Sequence, residues 1–175
     1  TKKDGRWQWM TYLQFGREVD RIRAGLAGLG LSAGDRIAII SNNRVEWAVC
    51  AYATYGLGAA YVPMYEAQMP KEWEFIIKDC EAKIAVCATN EIAEKVKSFF
   101  DSCPNLKHIV SLDPKTKDEG KITTYKKLLA TDAQVPIADV KPSDIAGLIY
   151  IGTAAAPLED RPRPDAAALH TKWSA

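Results

Sequence analysis

From Phe15 to Leu112 the chain switches repeatedly between two spacings of apolar residues, recurrence every three or four positions and short unbroken runs. The first spacing places side chains on one face of a helix, and the second marks a strand buried on both sides. Few folds satisfy both in strict alternation.

Thr11 and Gln14 have capping-box spacing, so hydroxyl and amide can satisfy orphaned backbone donors where a helix begins. Phe15, Val19, Ile22, Leu26 and Leu29 then share one face of a helix predicted over 11–29, with Gly30 as its C-terminal cap. A turn over 31–35 leads to a strand over 36–40. Ser41, Asn42 and Asn43 are candidate caps for a helix over 44–57 that stops at Gly58, and a strand over 59–62 is expected to end at Pro63. Pro70 suits a helix first turn, where Glu72 and Glu74 complement the dipole and Trp73, Ile76, Ile77 and Cys80 form the inner face. Strands over 84–88 and 108–112 flank a helix over 91–101. Short strands alternating with helices predict an α/β fold, a doubly wound, mostly parallel sheet with helices on both faces. Beyond Leu112 the pattern loosens into a charged loop over 113–121, a short helix over 125–130, a linker over 131–142 and a last apolar strand over 144–150. Residues 1–150 therefore read as one domain, and 151–175 as a divergent Ala/Pro/Arg-rich tail with the composition of a disordered segment.

The formal net charge is +1, and no basic cluster is interleaved with aromatics, so nothing points to nucleic acid. Cys50, Cys80, Cys87 and Cys103 form no C-x-x-C pair and read as reduced, structural residues, which suggests an intracellular compartment. His108 and His170 have no cysteine at zinc-ligand spacing, so no metal site is expected. No apolar run reaches the roughly 20 residues that span a bilayer, and the start at Thr1 leaves open what precedes it.

Local phrases are more specific than the alternation. Trp9-Met10-Thr11-Tyr12, Gly25-Leu26-Ala27-Gly28-Leu29-Gly30 and Gly34-Asp35-Arg36-Ile37-Ala38-Ile39 occur in that order. Ser41-Asn42-Asn43-Arg44-Val45-Glu46-Trp47, Gly58-Ala59-Ala60-Tyr61-Val62-Pro63-Met64-Tyr65, the stretch from Trp73 to Ala85, and Leu106-Lys107-His108-Ile109-Val110 follow. Together they resemble the N-terminal part of the AMP-forming acyl-CoA synthetases, in particular the long-chain fatty acid–CoA ligase branch, over about residues 7–153. The resemblance implies that this region is mainly scaffold, with Trp47 and Tyr61 in packing roles and Asn42 and Asn43 as caps. Arg44 and Glu46, two apart on the proposed helix, are not expected to pair.

In that family a phosphate loop reading Y-T-S-G-T-T-G-x-P-K-G follows the strand that here ends at Tyr150. Its glycines admit the ATP phosphates to the backbone, its amides and hydroxyls donate to them, and its lysine adds charge. Here the stretch is Tyr150-Ile151-Gly152-Thr153-Ala154-Ala155-Ala156-Pro157-Leu158-Glu159. With one serine dropped, Tyr150, Gly152 and Thr153 align as a remnant of the nucleotide-binding loop, while Leu158 replaces the lysine and Glu159 the last glycine. The intact family uses ATP, magnesium and coenzyme A. None of these, and no catalytic residue, is expected in this chain, which reads as truncated by a frame change near Ile151 or as degenerate. The alternative is a non-catalytic subunit that meets a protein partner through the face its missing subdomain would cover.

Overall fold

The structure, a computed structural model, describes residues 2–3, 6–7 and 9–151. Lys2–Lys3 (β1) and Arg6–Trp7 (β2) form a short antiparallel pairing. The main body follows as α1 (Tyr12–Gly28), β3 (Arg36–Ile40), α2 (Val45–Tyr55), β4 (Ala60–Met64), α3 (Pro70–Asp79), β5 (Ile84–Cys87), α4 (Asn90–Lys97), β6 (His108–Ser111), β7 (Ile122–Thr124) and α5 (Tyr125–Leu129). Five strands form one all-parallel sheet in the order β4-β3-β5-β6-β7.

Alternation along each strand sends side chains into two cores. Ala38, Ile40, Val62, Ala85, Cys87 and Ile109 meet Trp73, Ile76 and Ile77 of α3 and Ile92 and Val96 of α4. Ile37, Ile39, Tyr61, Ile84, Val86 and Val110 meet α1, α2 and α5 on the opposite face. Each large side chain buried this way contributes about 1.5 to 3 kcal/mol. The doubly wound layout thus follows from strands that are apolar on both faces.

The ends of α1 form as the sequence predicts. The Thr11 N–H donates to Gln14 Oε1 at 2.8 Å, and the Gln14 N–H donates to Thr11 Oγ1 at 3.1 Å. At the other end Gly30, at φ +86, lets the Leu31 N–H reach back to the Leu26 carbonyl at 3.0 Å. That left-handed conformation is cheap only for glycine.

Several expectations are corrected. Asn42 and Asn43 do not cap α2: its N-cap is Arg44, extended at φ −149 and ψ 167, with no side-chain cap bond. The Asn42 N–H donates instead to Glu66 Oε1 at 2.7 Å. Because Arg44 precedes the helix, the spacing rule for helical neighbours does not govern it. It forms a two-pronged ion pair with Glu46, at 2.8 Å and 3.0 Å. β4 does not stop at Pro63 but runs on to Met64. The helix over 91–101 is α4 followed by a 3-10 turn over Ser98–Phe100. β7 is a strand that the sequence reading left unassigned, and the expected strand over 144–150 is a single bridge between Gly147 and Tyr61.

Candidate functional site

The segment 146–150, which leads to the candidate residues Gly152 and Thr153, is anchored on Tyr61, in β4. Tyr61 turns its N–H and C=O away from β3. The Tyr61 N–H donates to the Ala146 carbonyl at 3.0 Å, and the Leu148 N–H donates to the Tyr61 carbonyl at 3.0 Å. A parallel ladder would next require an N–H at position 63 to reach the Leu148 carbonyl. Pro63 has no N–H, so the ladder ends after one bridge, which is the physical reason why 144–150 is not a full strand. Proline is tolerated there because its bare nitrogen faces away from β3. Gly147 is also forced, since a Cβ at that position would lie 2.9 Å from the Tyr61 carbonyl oxygen.

Past the bridge, Leu148 and Tyr150 turn onto the core beside α3. The Tyr150 hydroxyl donates to Asp79 Oδ2 at 2.7 Å, at the last residue of α3. Burial and this bond to a carboxylate push the Tyr150 phenol above its ordinary range, so it stays a donor. Tyr61 is 1% exposed, and its hydroxyl donates to the Trp47 carbonyl at 2.8 Å. The two rings meet edge to face at 5.4 Å. Tyr61 therefore ties α2 to the sheet with its side chain and the segment 146–148 to the sheet with its backbone. This places Trp47 and Tyr61 in packing roles.

Of the three candidate loop residues, the structure places Tyr150. Gly152 and Thr153, and with them the rest of the 151–175 tail beyond Ile151, lie outside the described residues. Asp79 was missed as a partner. Its phrase was noted for resemblance alone, and no local spacing links positions 71 residues apart.

In open parallel sheets ligands favour the crevice where strand order reverses, here between the C-terminal ends of β3 and β5. That crevice is lined with polar groups already engaged with one another. Burial is the largest influence on Glu46 and opposes its ionisation, but the hydrogen bond from Arg44, a backbone hydrogen bond and the Arg44 charge together outweigh it and lower the carboxyl below its usual range. The Asn90 N–H donates to Asp113 Oδ2 at 3.2 Å, and Thr116 Oγ1 donates to Asn90 Oδ1 at 3.0 Å. All four cysteines are buried and unpaired, and burial pushes the Cys50 and Cys80 thiols up to about 12, which makes them packing residues and not nucleophiles. Among the described residues no group of three or more His, Cys, Asp or Glu could hold a metal, and no helix is long and apolar enough to cross a membrane.

This all-parallel sheet with helices on both faces is the fold of the N-terminal subdomain of adenylate-forming ligases. The anthranilate CoA ligase solved with anthranoyl-AMP superposes on it with a TM-score of 0.75 at 24% identity, over 83% of this chain and 28% of that one. The AMP-binding enzyme family matches residues 2–152, and the chain belongs to that family. Similar curated proteins include a long-chain-fatty-acid–CoA ligase of Mycobacterium bovis, 29% identical over 88% of this chain and 26% of its own length. One from Rattus norvegicus is 26% identical over 77% of this chain and 19% of its own length. The chain thus spans about a quarter or less of these relatives.

Proposed function

We propose that this chain is the N-terminal scaffold of a long-chain fatty acid–CoA ligase, and that its 175 residues alone do not carry out the reaction. The intact relative would join a fatty acid carboxylate to the AMP moiety of ATP with release of pyrophosphate. It would then pass the acyl group to the thiol of coenzyme A with release of AMP, with magnesium neutralising phosphate charge. In this chain Tyr150 would hold the entry to the loop, and Gly152 and Thr153 would be its surviving phosphate-facing residues. The observation that carries the reading is the loop sequence, with Ala154 and Ala155 where the family has threonine and glycine, Leu158 for its lysine and Glu159 for its last glycine. Each lost charge-assisted hydrogen bond is worth about 1.5 to 3 kcal/mol, so ATP affinity falls by orders of magnitude. Pyrophosphate release, measured on purified chain with ATP, magnesium and a long-chain fatty acid, is expected to stay at background. A clear rate that depends on fatty acid overturns the proposal.

A second reading, a non-catalytic subunit of a larger complex, is favoured by one feature. An apolar groove of about 830 Å³ runs between α1 and α2, lined by Tyr12, Phe15, Val19, Tyr52, Ile137 and Val140. An exposed face of that kind suits a protein partner.

A further inference from the structure

We propose that the segment 131–145 is a strap latched by Arg23, which opens as a unit of its own and takes one wall of the groove between α1 and α2 with it.

The strap is fixed at both ends. Leu128 of α5 is buried, and the Ala146 carbonyl accepts the Tyr61 N–H at 3.0 Å. Between these anchors no residue of 131–145 is buried, and none belongs to a helix or strand. Hydrogen bonds tie 132–145 to the rest of the described chain at two points. The Ala138 N–H donates to the Gly56 carbonyl at 2.8 Å. Arg23 donates twice to the Val135 carbonyl, from Nε at 3.0 Å and from Nη2 at 2.9 Å. A segment with so few buried contacts opens at a lower free energy than the core it lies on.

The two ties are coupled. Arg23 belongs to α1, and its side chain is only 9% exposed. A Cβ at Gly56 would lie 2.9 Å from Arg23 Cδ, so the glycine leaves room for the arginine stem at the same place where its carbonyl holds Ala138. The guanidinium thus grips the strap on one side of Pro136-Ile137, and Gly56 grips it on the other.

The latch can also release without stranding a charge. Arg23 borders a polar cavity of about 670 Å³ that Arg17, Asp20, Thr131 and Gln134 also line. Water there can solvate the guanidinium, which keeps its ion pair with Asp20 at 2.8 Å. Opening therefore avoids the penalty of a buried, unpaired ion. Little apolar area holds the strap down. Ile137 and Val140 line the groove together with Phe15 and Tyr52, yet they stay 68% and 50% exposed. The polar ties at Arg23 and Gly56, and not burial, decide whether this wall stands. The inference does not depend on whether the chain binds ATP.

Native-state hydrogen exchange of the full chain in low urea tests this. The Ala138 amide should exchange through an opening with little urea dependence. The Ala88 amide, which donates to the Ile40 carbonyl at 3.0 Å at the end of β5, should show the steep dependence of global unfolding. Arg23→Gln should speed Ala138 exchange by at least about tenfold, as expected for loss of a hydrogen bond from a charged group. Arg23→Lys, which keeps the charge and loses the fork, should have a smaller effect. In both variants the gain at Ala138 should exceed any gain at Ala88. The proposal fails if Ala138 and Ala88 share one urea dependence in the unaltered chain, a result that needs no variant to fold. It also fails if Arg23→Gln leaves Ala138 unchanged, or speeds both amides equally, which would make Arg23 an ordinary core residue.

Discussion

The two edges of the sheet are built by opposite means. At β7 the strand is three residues long, and the preceding loop folds back so that Glu119 and Asp118 take up its outward donors. α5 starts at the next residue, with Thr124 Oγ1 accepting the Lys127 N–H at 3.3 Å. At the other edge β4 carries Pro63, the segment beside it makes one bridge, and its own outward groups have no partner among the described residues. The β7 edge is complete within the described chain. The 145–151 edge is held by that one bridge, in a chain that spans about a quarter or less of its relatives.

The largest test of this contrast is Tyr61→Ala, which removes the ring beside Trp47 and the bond to its carbonyl. Loss of about 3 to 5 kcal/mol in urea unfolding is expected, as for other buried aromatics. Hydrogen exchange should also quicken at Leu148, whose amide depends on β4, and not at Ile122. Equal acceleration at both edges would break the comparison.

A smaller effect is expected at the closed edge. Asp118→Ala removes the acceptor of the Thr124 N–H and should cost about 1 kcal/mol. Its signature is faster exchange at Thr124, with Leu148 unaffected. An unchanged Thr124 rate would show that the loop does not guard β7.

The smallest effect concerns pH. His108, on β6, has its pKa lowered from 6.5 by burial and then by nearby Lys121. The unfolded chain therefore takes up a proton at this site before the folded chain does. The contribution is fully present above the ordinary value of 6.5 and is lost as pH falls from there through the lower folded value. Urea midpoints measured from neutral to mildly acidic pH should fall slightly, and His108→Gln should flatten that part of the slope. A slope unchanged in the variant assigns the dependence to other groups.

How far sequence reading reached can be judged residue by residue. Phe15, Ile22 and Leu26, or Trp73, Ile76 and Ile77, announce their helices because the period that builds an amphipathic face is local. The capping box at Thr11 and the left-handed turn at Gly30 are local as well, and both are found where the residues place them. β7 escaped notice because three residues are too few to show a period. Asn42 and Asn43 are good caps by type, yet α2 begins one residue after Arg44, because the Asn42 N–H is held by Glu66 on a later loop. The pairing of Arg44 with Glu46 likewise follows from an extended backbone that spacing does not reveal.

By itself, then, the sequence determined the class of fold, a mostly parallel alternation of strand and helix, and the family, because periods and ordered phrases depend on near neighbours along the chain. Strand order, the one-bridge edge and the Tyr150–Asp79 bond were decided by tertiary structure alone. Pro63 looked like the end of a strand. It is instead the point where a neighbouring segment stops pairing, and that becomes visible only once Gly147 lies against Tyr61. Contacts between distant segments depend on which backbone groups the rest of the fold has left unpaired, and no local pattern encodes that.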